Sequence, residues 1–207
     1  MQLRAEALLC TARPQGETGV VARLLTEQNG LIAAYIAGGR GRQLRPVLIP
    51  GNRVEAEIRS PSPQRLPFAR IELLESRGPW LAEPLPAAAI GWACALTASS
   101  LPERHAYPAL YAALLALLDA VCHAPSARGW VPALIAYEAL LLRELGYGGD
   151  GPPSVPKDWA VLLAQFDRLG EALSRYVVDD WPLAERHTDV MGARSRLRAL
   201  LARIGGG

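Results

Sequence analysis

Residues 38–46 read Gly-Gly-Arg-Gly-Arg-Gln-Leu-Arg-Pro and hold the densest run of potential chemistry in this 207-residue chain. Arg40, Arg42 and Arg45 supply three guanidinium groups within six residues, each able to meet a phosphate with planar, bidentate hydrogen bonds. The glycines let a backbone approach a ligand closely. On a small barrel such a loop can track a phosphate backbone, with affinity that falls with salt and depends little on base sequence. The competing reading is a solvated hairpin whose arginines serve solubility. A nucleotide-binding P-loop is excluded, because no Gly-Lys-Ser or Gly-Lys-Thr follows. Aromatic platforms for stacking bases are scarce, with only Tyr35 and Phe68 in the first 77 residues. That scarcity favours contact with the phosphate backbone over reading of bases.

Other constellations are poorer. His105, His123 and His187 stand apart from one another and from carboxylates at ligand spacing, so no metal is expected. Cys10, Cys94 and Cys122 are odd in number, widely spaced and without a CxxC pair, which fits a reducing compartment and no disulfide framework. Serine elbows, HExxH and dinucleotide fingerprints are absent, so neither a cofactor nor an enzymatic site is expected. Asp179-Asp180 reads as a carboxylate pair at a helix end or in a loop. Arg194, Arg196, Arg198 and Arg203 on the last helix sit off its leucine stripe, which reads as an ordinary solvated face ahead of a second DNA contact.

The elements that must carry these residues change type once along the chain. Residues 3–11, 20–26, 31–37, 53–59 and 68–76 read as short strands, with turn residues at Arg13-Pro14-Gln15-Gly16 and a hairpin signal at Asn29-Gly30. Five strands in under eighty residues, with no helix long enough for a parallel crossover, favour a small closed barrel of the OB type. From Pro79 onward the pattern is helical. Segments 86–101 and 109–122 are almost continuously apolar, residues 158–176 carry one apolar side, and 193–204 repeat leucines at i, i+3, i+4, i+7. Between them the stretch 130–150 holds the central helix, with Pro132 in its first turn, only Glu138, Arg143 and Glu144 breaking its apolar surface, and Gly146 at its stop. A Gly/Pro loop follows from 148 to 156. The fold class is therefore α+β, with an N-terminal five-stranded OB-fold barrel over residues 1–78 and an α-helical bundle over 79–207.

Charge follows the same division. Residues 1–80 hold eleven Arg against seven Glu, residues 81–185 six basic against twelve acidic groups, and residues 186–207 five Arg against Asp189. A basic module thus precedes a mildly acidic helical body. The first thirty residues contain no apolar signal core, and the longest apolar run, residues 109–118, is about half of a membrane span. A cytoplasmic protein is expected, with no membrane partner.

Several segments together resemble the RecO family of bacterial recombination mediators. They are Gly16-Glu17-Thr18 with Val20-Val21-Ala22-Arg23-Leu24-Leu25-Thr26-Glu27, then Asn29-Gly30-Leu31, Ala37-Gly38-Gly39-Arg40, and Tyr137-Glu138-Ala139-Leu140-Leu141-Leu142-Arg143-Glu144-Leu145-Gly146-Tyr147. The resemblance implies an OB-fold joined to a helical domain, binding to single- and double-stranded DNA, and annealing of complementary strands. It also implies contact with single-stranded-DNA-binding protein and with RecR, helping to load recombinase onto coated DNA, and so a nucleoid-associated place in the cytoplasm. By the same resemblance Arg40, Arg42 and Arg45 match the basic DNA-contacting loop, and Arg53 and Arg13 join them as nearby candidates on the barrel. Many family members carry a longer insertion after the Gly-Tyr stop, some with four zinc-binding cysteines. Here no cysteine follows Cys122, and zinc is not expected. The rival expectation is a protein-interaction adaptor that works through the helical domain and has little affinity for nucleic acid.

Overall fold

The structure is a computed structural model that describes residues 2–60, 62, 65–148, 156, 158–175 and 190–204. Asp179-Asp180, His187 and most of the 148–156 loop lie outside the described residues. The chain divides into two units, Met1–Ala82 with Leu101–Tyr111, and Glu83–Ser100 with Ala112–Gly207.

Five strands make the first unit: β1 (Gln2–Gln15), β2 (Gly19–Thr26), β3 (Gly30–Ile36), β4 (Arg53–Arg59) and β5 (Phe68–Glu75). They close in the order β1-β2-β3-β5-β4, with β4 returning to pair β1. Every pairing is antiparallel except the short parallel contact of β3 with β5 at Tyr35 and Phe68. Period-two alternation sends Ala22 and Leu24 of β2, Ile32, Ala34 and Ile36 of β3, Val54, Ala56 and Ile58 of β4 and Ala69 and Ile71 of β5 into one core. At Asn29-Gly30 the hairpin forms as the dipeptide suggests. Gly30 takes φ 67°, and the Thr26 hydroxyl donates to the Gly30 carbonyl while accepting from the Asn29 N–H.

The first strand is longer than the sequence suggests. The Arg13-Pro14-Gln15 segment does not end it but continues it to Gln15, and the turn falls at residues 16–18. Pairing explains the difference: β4 covers β1 only from Gln2 to Leu8, whereas β2 covers it from Ala7 to Gln15. Pro14 therefore sits where β1 has one neighbour, an edge position that tolerates a missing N–H. A register shift between Leu9 and Thr11 marks the bulge that follows the handover.

The second unit contains α1 (Pro84–Ser100), most of α2 (Pro108–His123), α3 (Ala127–Glu144), α4 (Trp159–Leu173) and α5 (Val190–Ala202). Helix α3 starts five residues before Pro132, which lies inside it instead of in its first turn. The proline forgoes one backbone hydrogen bond, but the added turn buries Ala127, Trp130 and Val131. Its far end is a Schellman stop: Gly146 has φ 87°, its N–H donates to the Arg143 carbonyl, and the Tyr147 N–H donates to Leu142. Asp158 caps α4 by accepting from the Val161 N–H at 3.0 Å.

The arginines of α5 divide in a way that the leucine spacing conceals. Arg194 is buried, not solvated, and makes a two-point ion pair with the fully buried Glu138 of α3. The Trp92 indole N–H of α1 donates to the same carboxylate at 2.7 Å, and Arg194 also donates to the Phe166 carbonyl of α4. Its guanidinium lies 3.6 Å from the centroid of the Phe166 ring. A Cβ on Gly170 would fall 2.0 Å from an Arg194 nitrogen, so that glycine leaves room for the arginine to enter. Four helices thus meet at one buried charge pair. Burial pushes the Glu138 carboxyl above its ordinary value, and the attraction of Arg194 opposes that shift.

Candidate nucleic-acid interface

Between β3 and β4, residues 38–48 wind into successive tight turns held by backbone bonds from Gly41 to Gly38, Leu44 and Arg45 to Gly41, and Val47 and Leu48 to Leu44. The turns place Leu44, Val47 and Leu48 on one side, where they pack against the barrel core. Arg40, Arg42 and Arg45 are left exposed on the other side. The glycines serve the fold first. Gly38 needs its positive φ of 68°, and a Cβ on Gly39 would meet Val20 at 2.8 Å, so the close approach there is to β2.

Each arginine of the loop has a distinct local role. Arg40 donates from Nη1 to the Glu17 carbonyl at 3.0 Å, and its own N–H donates to the Thr18 carbonyl at 3.0 Å. These bonds fasten the loop to the β1–β2 turn. Arg45 donates from Nε to the Arg40 carbonyl at 3.2 Å, and its terminal nitrogens make no hydrogen bond among the described residues. Arg42 makes no hydrogen bond or ion pair among the described residues.

Asn52 secures the other end of the loop and was not legible as a functional residue. Fully buried, it donates from Nδ2 to the Pro46 and Val47 carbonyls at 2.9 and 3.0 Å and accepts from the Arg77 N–H at 2.7 Å. One amide thus bonds three backbone groups at once. Its only sequence signal is an asparagine directly after a glycine at the entry to β4.

The two remaining candidates lie elsewhere on the barrel. Arg13 is exposed on the outer side of β1 opposite Val21, near the hairpin whose turn receives Arg40. Arg53 is half-buried at the start of β4, 3.9 Å from Glu6 and 3.8 Å from Glu75. The structure therefore gathers Arg40, Arg42 and Arg45 on one loop, sets Arg13 on the adjoining hairpin and gives Arg53 to an acidic cluster.

Part of the outer β2–β3 surface is already occupied within the first unit. The Arg104 N–H donates to the Leu31 carbonyl at 2.8 Å, Glu103 lies 3.8 Å from Arg23, and the His105 backbone fills the space beside Gly30. Tyr35 stands at the other end of that face. Its ring lies across Gly19, where a Cβ would sit 2.2 Å from the hydroxyl, and it meets Phe68 edge-on with centroids 5.7 Å apart. Phe68 is 55% exposed. Arg59 beside them donates to Glu57 and holds that carboxyl below the usual carboxylate range.

With this geometry in view, the chain matches the family description Recombination protein O N terminal over residues 1–77 and Recombination protein O C terminal over residues 84–150. It is 40% identical over 151 residues to the DNA repair protein RecO of Rhodospirillum centenum, covering 72% of this chain and 59% of that one. The RecO of Phenylobacterium zucineum is 38% identical over 151 residues, with 72% and 61% covered. The RecO of Gluconacetobacter diazotrophicus is 34% identical over 185 residues, with 87% and 73% covered. The chain spans about three fifths of the length of the first two relatives. The match to the third, running across nearly three quarters of its length and through both the barrel and the helices, shows that the chain belongs to the RecO family.

Proposed function

We propose that this protein is a non-enzymatic DNA-binding mediator of DNA repair that anneals complementary strands and helps load recombinase onto coated single-stranded DNA. One observation carries the reading: three exposed arginines on a loop pinned at both ends to a closed barrel, by Arg40 to the β1–β2 turn and by Asn52 to the start of β4. A pinned loop offers its cations to phosphates with little ordering left to do on binding. By neutralising phosphates on two strands, the arginines lower their mutual repulsion and let bases pair. Residues 1–78 act as the DNA-binding domain, with Arg13 and Arg53 as flanking contacts, and residues 79–207 as the partner-binding domain. RecR and single-stranded-DNA-binding protein are the partners that the family membership supports, with action at the nucleoid in the cytoplasm.

The test is binding of a labelled single-stranded oligonucleotide across a salt series, with annealing of its complement followed in the same samples. Replacing Arg40, Arg42 and Arg45 together by Ala is expected to weaken binding and to flatten the logarithmic salt slope by about two units, at about 0.7 per lost phosphate contact. Unchanged affinity in that variant would remove the loop from the account.

A second reading, an adaptor acting through the helical domain, is favoured by an open cleft of about 490 Å³ between α4 and α5, lined by Glu171, Met191 and Ser195 among others. Protein partners recovered after nuclease treatment, with no binding of labelled DNA, would favour it.

A further inference from the structure

Tyr35 and Phe68 are far apart in sequence, yet the parallel β3–β5 contact sets them directly in register. Beside them opens a cleft of about 280 Å³ lined by Tyr35, Ala37, Glu57, Arg59, Phe68, Ala69 and Arg70. Its size falls just below the roughly 300–1,000 Å³ of sites for drug-sized ligands, which suits one planar ring system. The edge-to-face pairing leaves aromatic surface uncovered, and Phe68 is more than half exposed although burial would stabilise it. Arg59 and Arg70 line the cleft with the ring pair, and the Glu57 carboxylate, paired with Arg59, opposes entry of a phosphate into the cleft itself. Aromatic surface with cations beside it is what a nucleotide needs to stack its base and meet its phosphates.

The cleft also adjoins the arginine loop, since Ala37, which lines it, directly precedes Gly38. Tyr35 lies across Gly19, and the residues just before Gly19 supply the carbonyls that hold Arg40. We infer that the Tyr35–Phe68 cleft takes up one unstacked base of a single strand whose neighbouring phosphates run onto the Arg40–Arg42–Arg45 loop. This inference rests on the DNA-binding reading above and adds a preference that phosphate contacts alone do not give. A duplex keeps its bases stacked inside, so the cleft selects single strands.

The experiment compares the full chain's affinity for a labelled oligothymidylate and for an abasic oligodeoxyribose phosphate of equal length and charge. The wild type is expected to bind the base-bearing strand about five-fold or more tightly. Phe68→Leu keeps an apolar side chain at an exposed position and removes the ring. It is expected to lose that preference while retaining the affinity for the abasic strand and the salt slope. Equal binding of the two strands by the wild type would overturn the cleft and leave the DNA-binding reading standing. Binding of neither strand at low salt would overturn both. Because equal binding by the wild type would already overturn the cleft, a Phe68→Leu chain that failed to fold would not shield the proposal, and a folded Phe68→Leu chain that kept the preference would overturn it too.

Discussion

A guanidinium carries five N–H donors, so one arginine can hold the protein and a phosphate at once. Arg40 and Arg45 each spend one such donor on a backbone carbonyl and keep others to offer, whereas Arg42 makes no hydrogen bond among the described residues. The division separates two variants that would otherwise look alike. Arg42→Ala is expected to reduce the salt slope of DNA binding by about 0.7–0.9 and to leave unfolding unchanged. Asn52→Ala alters no charge but leaves the Pro46 and Val47 carbonyls and the Arg77 N–H without their partner, at a cost of about 1–3 kcal/mol for each group that stays buried. It should lower the urea midpoint and weaken DNA binding with the salt slope intact; a variant as stable as wild type would show that Asn52 does not hold the loop. The arginines were legible because composition alone marks a basic glycine-rich loop. Asn52 was not, since its three partners are defined only once β4 has closed against β1 and residues 46, 47 and 77 have come together.

At the level of elements, period and turn chemistry revealed four strands and the stop of α3 almost to the residue. The course of β1 through Pro14 was hidden, because whether a strand has one neighbour or two is settled by its partners. The fate of Arg194 was hidden for the same reason. Fifty-six residues separate it from Glu138, and spacing on α5 shows only that it lies off the leucine stripe. Removing one half of such a pair costs more than removing both. Arg194→Met is expected to destabilise the helical unit by about 3–5 kcal/mol, read from its helical circular dichroism in urea, and Glu138→Gln in the same chain should recover most of the loss while still accepting from Trp92. The single variant should also respond to pH in a defined direction. With Arg194 gone, only the Trp92 hydrogen bond opposes burial, and the folded Glu138 carboxyl lies further above its ordinary value of 4.5. The folded state then binds a proton that the unfolded state releases, so stability falls as pH rises from 4.5 toward the raised value. A flat profile across that window would show that Glu138 gains water or another cation instead.

Across the whole molecule, the +2 net charge conceals a basic N-terminal stretch and an acidic middle. Binding one strand and pairing two draw differently on the same cations. If the arginines act by relieving repulsion between strands, annealing must fall more steeply with salt than binding of either strand alone, because phosphates of both are neutralised in the productive state. Equal slopes in the two measurements would mean that annealing is a by-product of binding. The closed strand order has a different consequence, for the growing polypeptide. The β1–β2–β3 meander joins neighbours along the chain, but the seam that shuts the barrel unites Gln2–Leu8 with a strand made some fifty residues later. Until Arg53–Arg59 leaves the ribosome, the first half of β1 is an open edge able to pair with a neighbouring nascent chain. Arg4 and Glu6 stand on that edge and blunt it during synthesis. In the finished barrel Arg4 pairs with Glu55 at 2.6 Å, so the charge that guards the unfinished seam becomes part of its closure.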